Sequence, residues 1–400
     1  MYALIIKVVC LWNPKAKAWL DGRSRWFEKL QKQFPKGSSV IWIHCSSAGE
    51  FEQGKPVIEA LRINYPDHKI LVSFFSPSGM AAAKNYSYAD YLIYLPLDTK
   101  KNAAQFIYHL QPALVIFVKY EFWYHYLNTI AHQKIPLYLA SASFRKEQIF
   151  FKWYGGFFKK MLFFFTHLFV QDQPSLSLLK SIGLTNCSIG GDTRFDRVNE
   201  ISQQLVDFPL LKEFCSDKQI LVAGSTWPGD EALLAGYMTI NPKIKLIIAP
   251  HEINTTHLQH IGTAFPGCLF YSKQPAGSLD LANASVLVID TIGLLSRLYA
   301  YATVTYVGGG FTKDGIHNIL EAAVWGKPVI FGPNYKKYRE ASELIANGGG
   351  FSIKNKEGLS LLMPVLLSKE NTAGTKALQY IEDNTGATTK ILQLIKQSVF

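Results

Sequence analysis

Ile41-Trp42-Ile43-His44-Cys45-Ser46-Ser47-Ala48-Gly49-Glu50 is the stretch on which the reading of the chain turns. An apolar run gives way to small residues with a carboxylate at their tip. Runs of this kind, rich in β-branched or aromatic residues, recur at Lys69–Phe75, Tyr91–Leu95, Leu114–Val118, Leu137–Ala140 and His167–Val170. A second series follows at Gln219–Ala223, Lys245–Ala249, Val286–Ile289, Thr303–Val307 and Pro328–Phe331. Segments with helical spacing separate them. Near-continuous apolar strands alternating with helices predict parallel sheets covered on both faces. Two series predict an α/β fold of two Rossmann-like, doubly wound domains. The polar stretch Asn199–Asp217 is the expected boundary, and a closing helix over Thr388–Val399 is expected to pack on a domain surface. Ligands of open α/β sheets bind beyond the carboxyl ends of the strands, so function is sought in the loops there.

Four hundred residues suit two domains better than one core. The net charge of +11 is uneven: residues 1–200 carry 24 Lys and Arg against 14 Asp and Glu, whereas residues 201–400 carry 17 against 16. The first half therefore expects an anionic partner, such as a membrane face or a phosphorylated substrate. With no zinc-finger spacing or RNA-binding motif, no nucleic acid is expected. Five scattered cysteines, Cys10, Cys45, Cys187, Cys215 and Cys268, suit a reducing compartment and no structural zinc. Met1 to Trp12 is apolar but shorter than the roughly 20 residues of a membrane span. It reads as an interfacial helix with Trp12 and Trp19 near the headgroups. Phe150–Phe165 mixes aromatics with Lys152, Lys159 and Lys160, and either meets a membrane interface or forms a buried helix.

Two loops carry chemistry. In the first, Gly54 and Pro56 predict a helix start near Lys55, which leaves Glu50 in a loop just ahead of it. A carboxylate there can take a proton from a hydroxyl, provided partial desolvation offsets the acidifying helix end. A solvated or capping Glu is the plainer alternative. In the second, Tyr306-Val307-Gly308-Gly309-Gly310 ends a strand in a loop that can approach a ligand closely. His317 to Gly326 then reads as a helix closed by Gly326, with Asn318 and Glu321 on one face near an anion-binding terminus. Neither a GxGxxG fingerprint nor a P-loop is present. No metal-ligand cluster appears, so neither metal nor other cofactor is expected.

At these residues the chain resembles the Kdo transferases of lipopolysaccharide synthesis. The likeness runs through Ser47-Ala48-Gly49-Glu50, Tyr120-Glu121-Phe122-Trp123, Gly224-Ser225-Thr226, Gly308–Gly310, His317-Asn318-Ile319-Leu320-Glu321-Ala322-Ala323 and Gly332-Pro333. It implies a GT-B glycosyltransferase fold, two Rossmann-like domains facing across a cleft. Residues 1–205 would form a membrane-associated acceptor domain and residues 206–400 a nucleotide-sugar domain. It implies CMP-Kdo as donor, a lipid A precursor as acceptor, and a place at the cytoplasmic face of the bacterial inner membrane. Glu50 would be the general base of an inverting displacement. Ser225, Thr226, Pro250, His251, Ile292, Gly293, Leu294, Gly309, Gly310, Asn318 and Glu321 would bind the donor. Ser47, Gly49, Lys119 and Glu121 would bind the acceptor, Glu121 otherwise pairing with Lys119 or Arg145. One departure stands out. Family members carry Pro-Arg-His where this chain has Pro250-His251-Glu252, so another cation, Arg194 or Lys336, serves the phosphate or the contact is weaker. The rival readings are a GT-B enzyme using a UDP-sugar and a non-catalytic, membrane-docked nucleotide-binding protein.

Overall fold

The structure, a computed structural model, describes residues 12–34, 39–204, 207–216, 218–275 and 279–398. The segment Met1 to Leu11, expected to lie at a membrane interface, falls outside them. Two compact units emerge, Met1–Arg197 with Thr385–Phe400, and Val198–Asn384.

In the first unit, β1 (Val40–Cys45), β2 (Lys69–Phe74), β3 (Tyr91–Tyr94), β4 (Leu114–Val118), β5 (Leu137–Ala142), β6 (His167–Val170) and β7 (Cys187–Ile189) form one parallel sheet. Its order is β3-β2-β1-β4-β5-β6-β7. Every residue of β1 is buried, and successive side chains serve opposite faces, as strand geometry requires. Ile41, Ile43 and Cys45 join a core with Phe51 and Ile58, while Trp42 joins another with Phe106, Phe117 and Tyr126. The second unit repeats the plan with β8 (Ile220–Thr226), β9 (Lys245–Pro250), β10 (Leu269–Phe270), β11 (Val286–Val288), β12 (Val304–Val307), β13 (Val329–Phe331) and β14 (Gly350–Ser352). That sheet is ordered β10-β11-β9-β8-β12-β13-β14, also parallel throughout. Strand order reverses between β1 and β4 in the first sheet and between β8 and β12 in the second. These are the topological switch points.

Every expected strand is present. The three unforeseen ones, β7, β10 and β14, hold two or three residues each and lie at sheet edges. The closing helix, Ala387–Ser398, belongs to the first unit, whereas residues 206–400 were expected to form the second domain together. Its Ile391 and Ile395 are buried in the core that holds Phe51 and Ile58. Asp196 caps its start, accepting from Gly386 N at 2.6 Å and from Thr388 N at 2.7 Å. Trp19 also departs from expectation. It is buried, with the Arg23 guanidinium 3.9 Å from its ring centroid and Phe75 edge-on at 5.6 Å. Arg23 in turn donates to the carbonyls of Trp19, Phe75 and Leu95, so Trp19 is part of the fold and not free for headgroups. No helix among the described residues is long and apolar enough to cross a membrane.

Candidate active site

The helix after β1 begins at Ala48, well before the expected start near Lys55. Ser47 is its N-cap and Glu50 its third residue, so Glu50 lies in the first turn and not in a preceding loop. Glu50 Oε2 accepts from Ser47 N at 3.1 Å and from the Ser47 hydroxyl. The bond from Ser47 N to the Glu50 side chain is the one a capping box makes from its third residue. Pro56 sits inside the helix, which stays close to the sheet because Gly54 lacks a Cβ: one there would stand 3.0 Å from Cys45 Sγ. The carboxylate is half-buried at the carboxyl end of β1, with Gly49 exposed beside it.

Glu121, just past β4, is buried without Lys119 or Arg145 as its recorded partner. Its Oε2 instead accepts from Trp123 Nε1 at 2.5 Å and faces His44 Nε2 at 3.1 Å. His44 Nδ1 lies 2.8 Å from Ser73 Oγ, which also accepts from Trp42 Nε1 at 2.8 Å. Burial alone raises the Glu121 pKa, but hydrogen bonds from His44, Ser46 and Trp123 outweigh it and hold the carboxyl below its ordinary range. Cys45 ties the two acids together: burial, then the charges of Glu50 and Glu121, push its thiol well up. Lys119 adopts a left-handed backbone, φ 71°, with Nζ 5.5 Å from the Tyr120 ring centroid. His44, Ser73 and the Trp123 indole went unassigned in the sequence. A histidine inside an otherwise apolar buried strand was the available signal.

In the second unit β8 ends in a bulge at Ser225, φ 52°, and the side chain of Thr226 turns into the core. Thr226 Oγ1 donates to Glu231 at 3.0 Å, and Glu231 pairs with His257 at 2.9 Å. Neighbouring Asp230, fully buried, accepts from Trp227 N at 3.0 Å, Gly309 N at 2.9 Å and Tyr306 Oη at 2.6 Å. It clamps the glycine loop to the helix Pro228–Ile240. The loop tolerates nothing larger: a Cβ on Gly310 would meet the Gly332 backbone at 2.5 Å, and one on Gly309, φ 88°, the carbonyl of Gly315 at 2.5 Å. The helix expected over His317–Gly326 covers only Leu320–Ala323. Asn318 shortens it by spending its side chain locally, accepting from Leu320 N at 3.2 Å and donating to Glu321 Oε1 at 3.0 Å. Asn318 and Glu321 thus meet, as their spacing predicted.

His251, following Pro250 at the end of β9, stacks against two rings that are joined edge to edge. Trp227 lies 4.8 Å away on centroids and His317 4.3 Å. Trp227 Nε1 donates to His317 Nε2 at 3.0 Å, which leaves the ring proton on Nδ1. Burial, then the proximity of His251, lowers the His317 pKa to about 4. This ring is a neutral donor at physiological pH, not a cation. Of the suggested substitutes for the missing arginine, Arg194 is committed to Asp192 through Nε and Nη2 at 2.9 and 2.7 Å, while Lys336 is exposed. Ile292 and Gly293 are exposed after β11, and Leu294 precedes the short helix Leu295–Leu298. Among the described residues no His, Cys, Asp or Glu cluster is placed to hold a metal ion.

Two parallel Rossmann-like units, one ending in carboxylates and one in a glycine loop, make up the GT-B fold. Solved structures agree on the fold. UDP-GlcNAc 2-epimerase from Neisseria meningitidis superposes with a TM-score of 0.61 at 15% identity, over 90% of this chain and 100% of that one. Acinetobacter baumannii MurG gives 0.55 at 13% identity, over 91% and 100%. At such identities the likeness carries the fold alone. Sequence is more specific. The family model for 3-deoxy-D-manno-octulosonic-acid transferase (kdotransferase) matches residues 24–197. A 3-deoxy-D-manno-octulosonic acid transferase of Aquifex aeolicus is 29% identical over 354 residues, 86% of this chain and 91% of that protein. One of Rickettsia felis is 28% identical over 383 residues, 92% and 81% of the two chains. Over most of its length the chain is thus similar to Kdo transferases.

Proposed function

We propose that the chain moves Kdo from CMP-Kdo to a lipid A precursor, lipid IVA, with inversion at the anomeric carbon. The observation that carries this reading is the half-buried Glu50 carboxylate beside the first sheet's switch point, in a chain similar to Kdo transferases. Both recorded bonds to Ser47 use Oε2, so Oε1 is the base. It takes the proton of an acceptor hydroxyl as that oxygen bonds to the anomeric carbon, and CMP leaves with the electron pair of the broken bond. One base and a stabilised leaving phosphate suffice for this displacement. Ser47, Gly49, Lys119 and Glu121 orient the acceptor. Asn318 and Glu321 hold the ribose, while Ser225, Thr226, Pro250, His251, the Ile292 to Leu294 loop, Gly309 and Gly310 receive the rest of the donor. Purified protein incubated with CMP-Kdo generated in situ and a tetraacyl disaccharide is expected to give a Kdo-bearing glycolipid by mass spectrometry. Consumption of a UDP-sugar with no such product overturns the assignment.

The acceptor is a lipid, and the first unit has a surface suited to one. Around the helix Gly156–Leu162, Trp153 is 94% exposed, and Tyr154, Phe157 and Phe163 are exposed near Lys152, Lys159 and Lys160. Met161 and Leu162 pack inward, so the helix is anchored while its aromatics face out. Amphipathic rings with lysines suit an anionic headgroup layer, which supports a peripheral place on the cytoplasmic face of the inner membrane. Replacing Trp153 and Phe157 by Ser is expected to weaken flotation with phosphatidylglycerol vesicles; unchanged flotation removes this face from the reading.

A further inference from the structure

We infer that His44 is a positioning residue for Glu121, seated on Ser73 and donating to that carboxylate through Nε2. Resting on the reading of Glu121 as an acceptor ligand, this adds a residue buried beneath the site. The hydrogen-bond inventory fixes the direction. Ser73 Oγ accepts from Trp42 Nε1 at 2.8 Å, and an indole nitrogen can only donate. His44 Nδ1 lies 2.8 Å from that hydroxyl and 3.1 Å from the Ser73 carbonyl, which seats the ring. Nε2 stands 3.1 Å from Glu121 Oε2, and against an ionised carboxylate it must carry a hydrogen. The Trp123 indole has two acceptors in reach, Glu121 Oε2 at 2.5 Å and His44 Nε2 at 3.2 Å. Only the first leaves Nε2 free to carry a hydrogen, and it is the shorter. His44 and Trp123 therefore both donate to one oxygen of Glu121.

A ring protonated on Nδ1 alone would set a bare Nε2 lone pair against an ionised carboxylate. The groups facing Glu121 are His44, Cys45 and Ser46 from β1 and its following loop, and Trp123 from its own segment. Glu50 is the other charge close to Cys45. A carboxylate has about four lone-pair sites. His44, Ser46 and Trp123 account for three, which leaves one for a sugar hydroxyl. His44 is fully buried and touches no substrate, so its effect passes through Glu121.

Two measurements test this. The first needs no activity: long-range proton–nitrogen correlation spectra of the full chain labelled on histidine nitrogens, with His44 assigned by its loss in His44→Gln. A hydrogen on Nε2 is expected; a bare Nε2 overturns the inference. The second compares His44→Gln, whose amide nitrogen can stand where Nε2 stood, with His44→Phe, which keeps the volume and loses the donor. His44→Phe is expected to lose about 10- to 100-fold in kcat/KM, the range for a hydrogen bond to a charged group. The acid limb of its pH–rate profile should move to higher pH, and His44→Gln should restore most of both. Equal impairment in the two variants with an unmoved acid limb rejects the positioning role. A wild-type protein without Kdo transfer rejects the functional reading and leaves the tautomer result standing.

Discussion

The two units use one scaffold for opposite chemistry. Each presents the loops of its two switch-point strands at the carboxyl edge of a parallel sheet. In the first unit those loops carry acceptors: Glu50 held by Ser47, and Glu121 held by His44 and Trp123. In the second the donor on offer is the neutral N–H of His317, since Gly308 N is spent on the Gly224 carbonyl and Gly309 N on Asp230, each at 2.9 Å. The second unit has acids too, but Asp230 and Glu231 are buried and fully used, clamping the glycine loop and Thr226. Position on the sheet does not make a carboxylate a base. What decides is whether its hydrogen bonds are all internal or leave an oxygen for a substrate.

The strongest way to break that contrast is to remove charge from the first unit alone. Glu50→Gln keeps shape and the acceptor oxygen but cannot take a proton. Turnover is expected to fall at least about 100-fold, the lower range for a general base, with CMP affinity unchanged. Calorimetric CMP titration beside a transfer assay checks both halves. Turnover near wild type removes Glu50 as base.

Much of this was legible in the residues. Buried parallel strands announce themselves as apolar runs, so the switch-point strands and the loops after them could be located in advance. The edge strands β7, β10 and β14 were not, because two or three residues carry no periodicity. Helix ends misled twice, each time through a side chain bonding its own backbone. Ser47 and Glu50 started one helix early despite Gly54 and Pro56, and Asn318 delayed another by capping Leu320. Glu121 and Asn318 could be flagged as polar residues near a site. Their partners could not, because His44 and Ser73 come from strands far apart in sequence and meet only through sheet register.

The mirror-image test removes a carboxylate from the second unit. Glu321 accepts from Asn318 Nδ2 at 3.0 Å, and the ribose of CMP is its proposed ligand. Glu321→Ala is expected to weaken CMP binding about 10-fold, the scale of one charged hydrogen bond, and to leave acceptor binding alone. Unaltered CMP affinity would detach Glu321 from the nucleotide and leave the glycine loop to bear the comparison.

The smallest effect separates the units by pH. Burial, then His251, holds His317 at about 4, below its ordinary 6.5. Between those values the unfolded chain binds a proton here that the folded chain does not. Stability tied to His317 is therefore intact above about 6.5 and lost as pH falls toward about 4. Because the ring is only partly buried, solvent screening limits the loss to about 1 kcal/mol. Glu121 behaves differently: its carboxyl lies below its ordinary 4.5, so its contribution persists above that value and disappears only at lower pH. His317→Phe keeps a ring against His251 and cannot titrate. Denaturant unfolding at pH 6.5 and 5 should show the wild type losing more stability than this variant, whereas His44→Phe should differ from wild type below pH 4.5. Parallel losses for wild type and His317→Phe between pH 6.5 and 5 would mean that His317 is not held neutral. The second unit would then offer its ligand a cation, which is what the arginine missing beside His251 would have supplied.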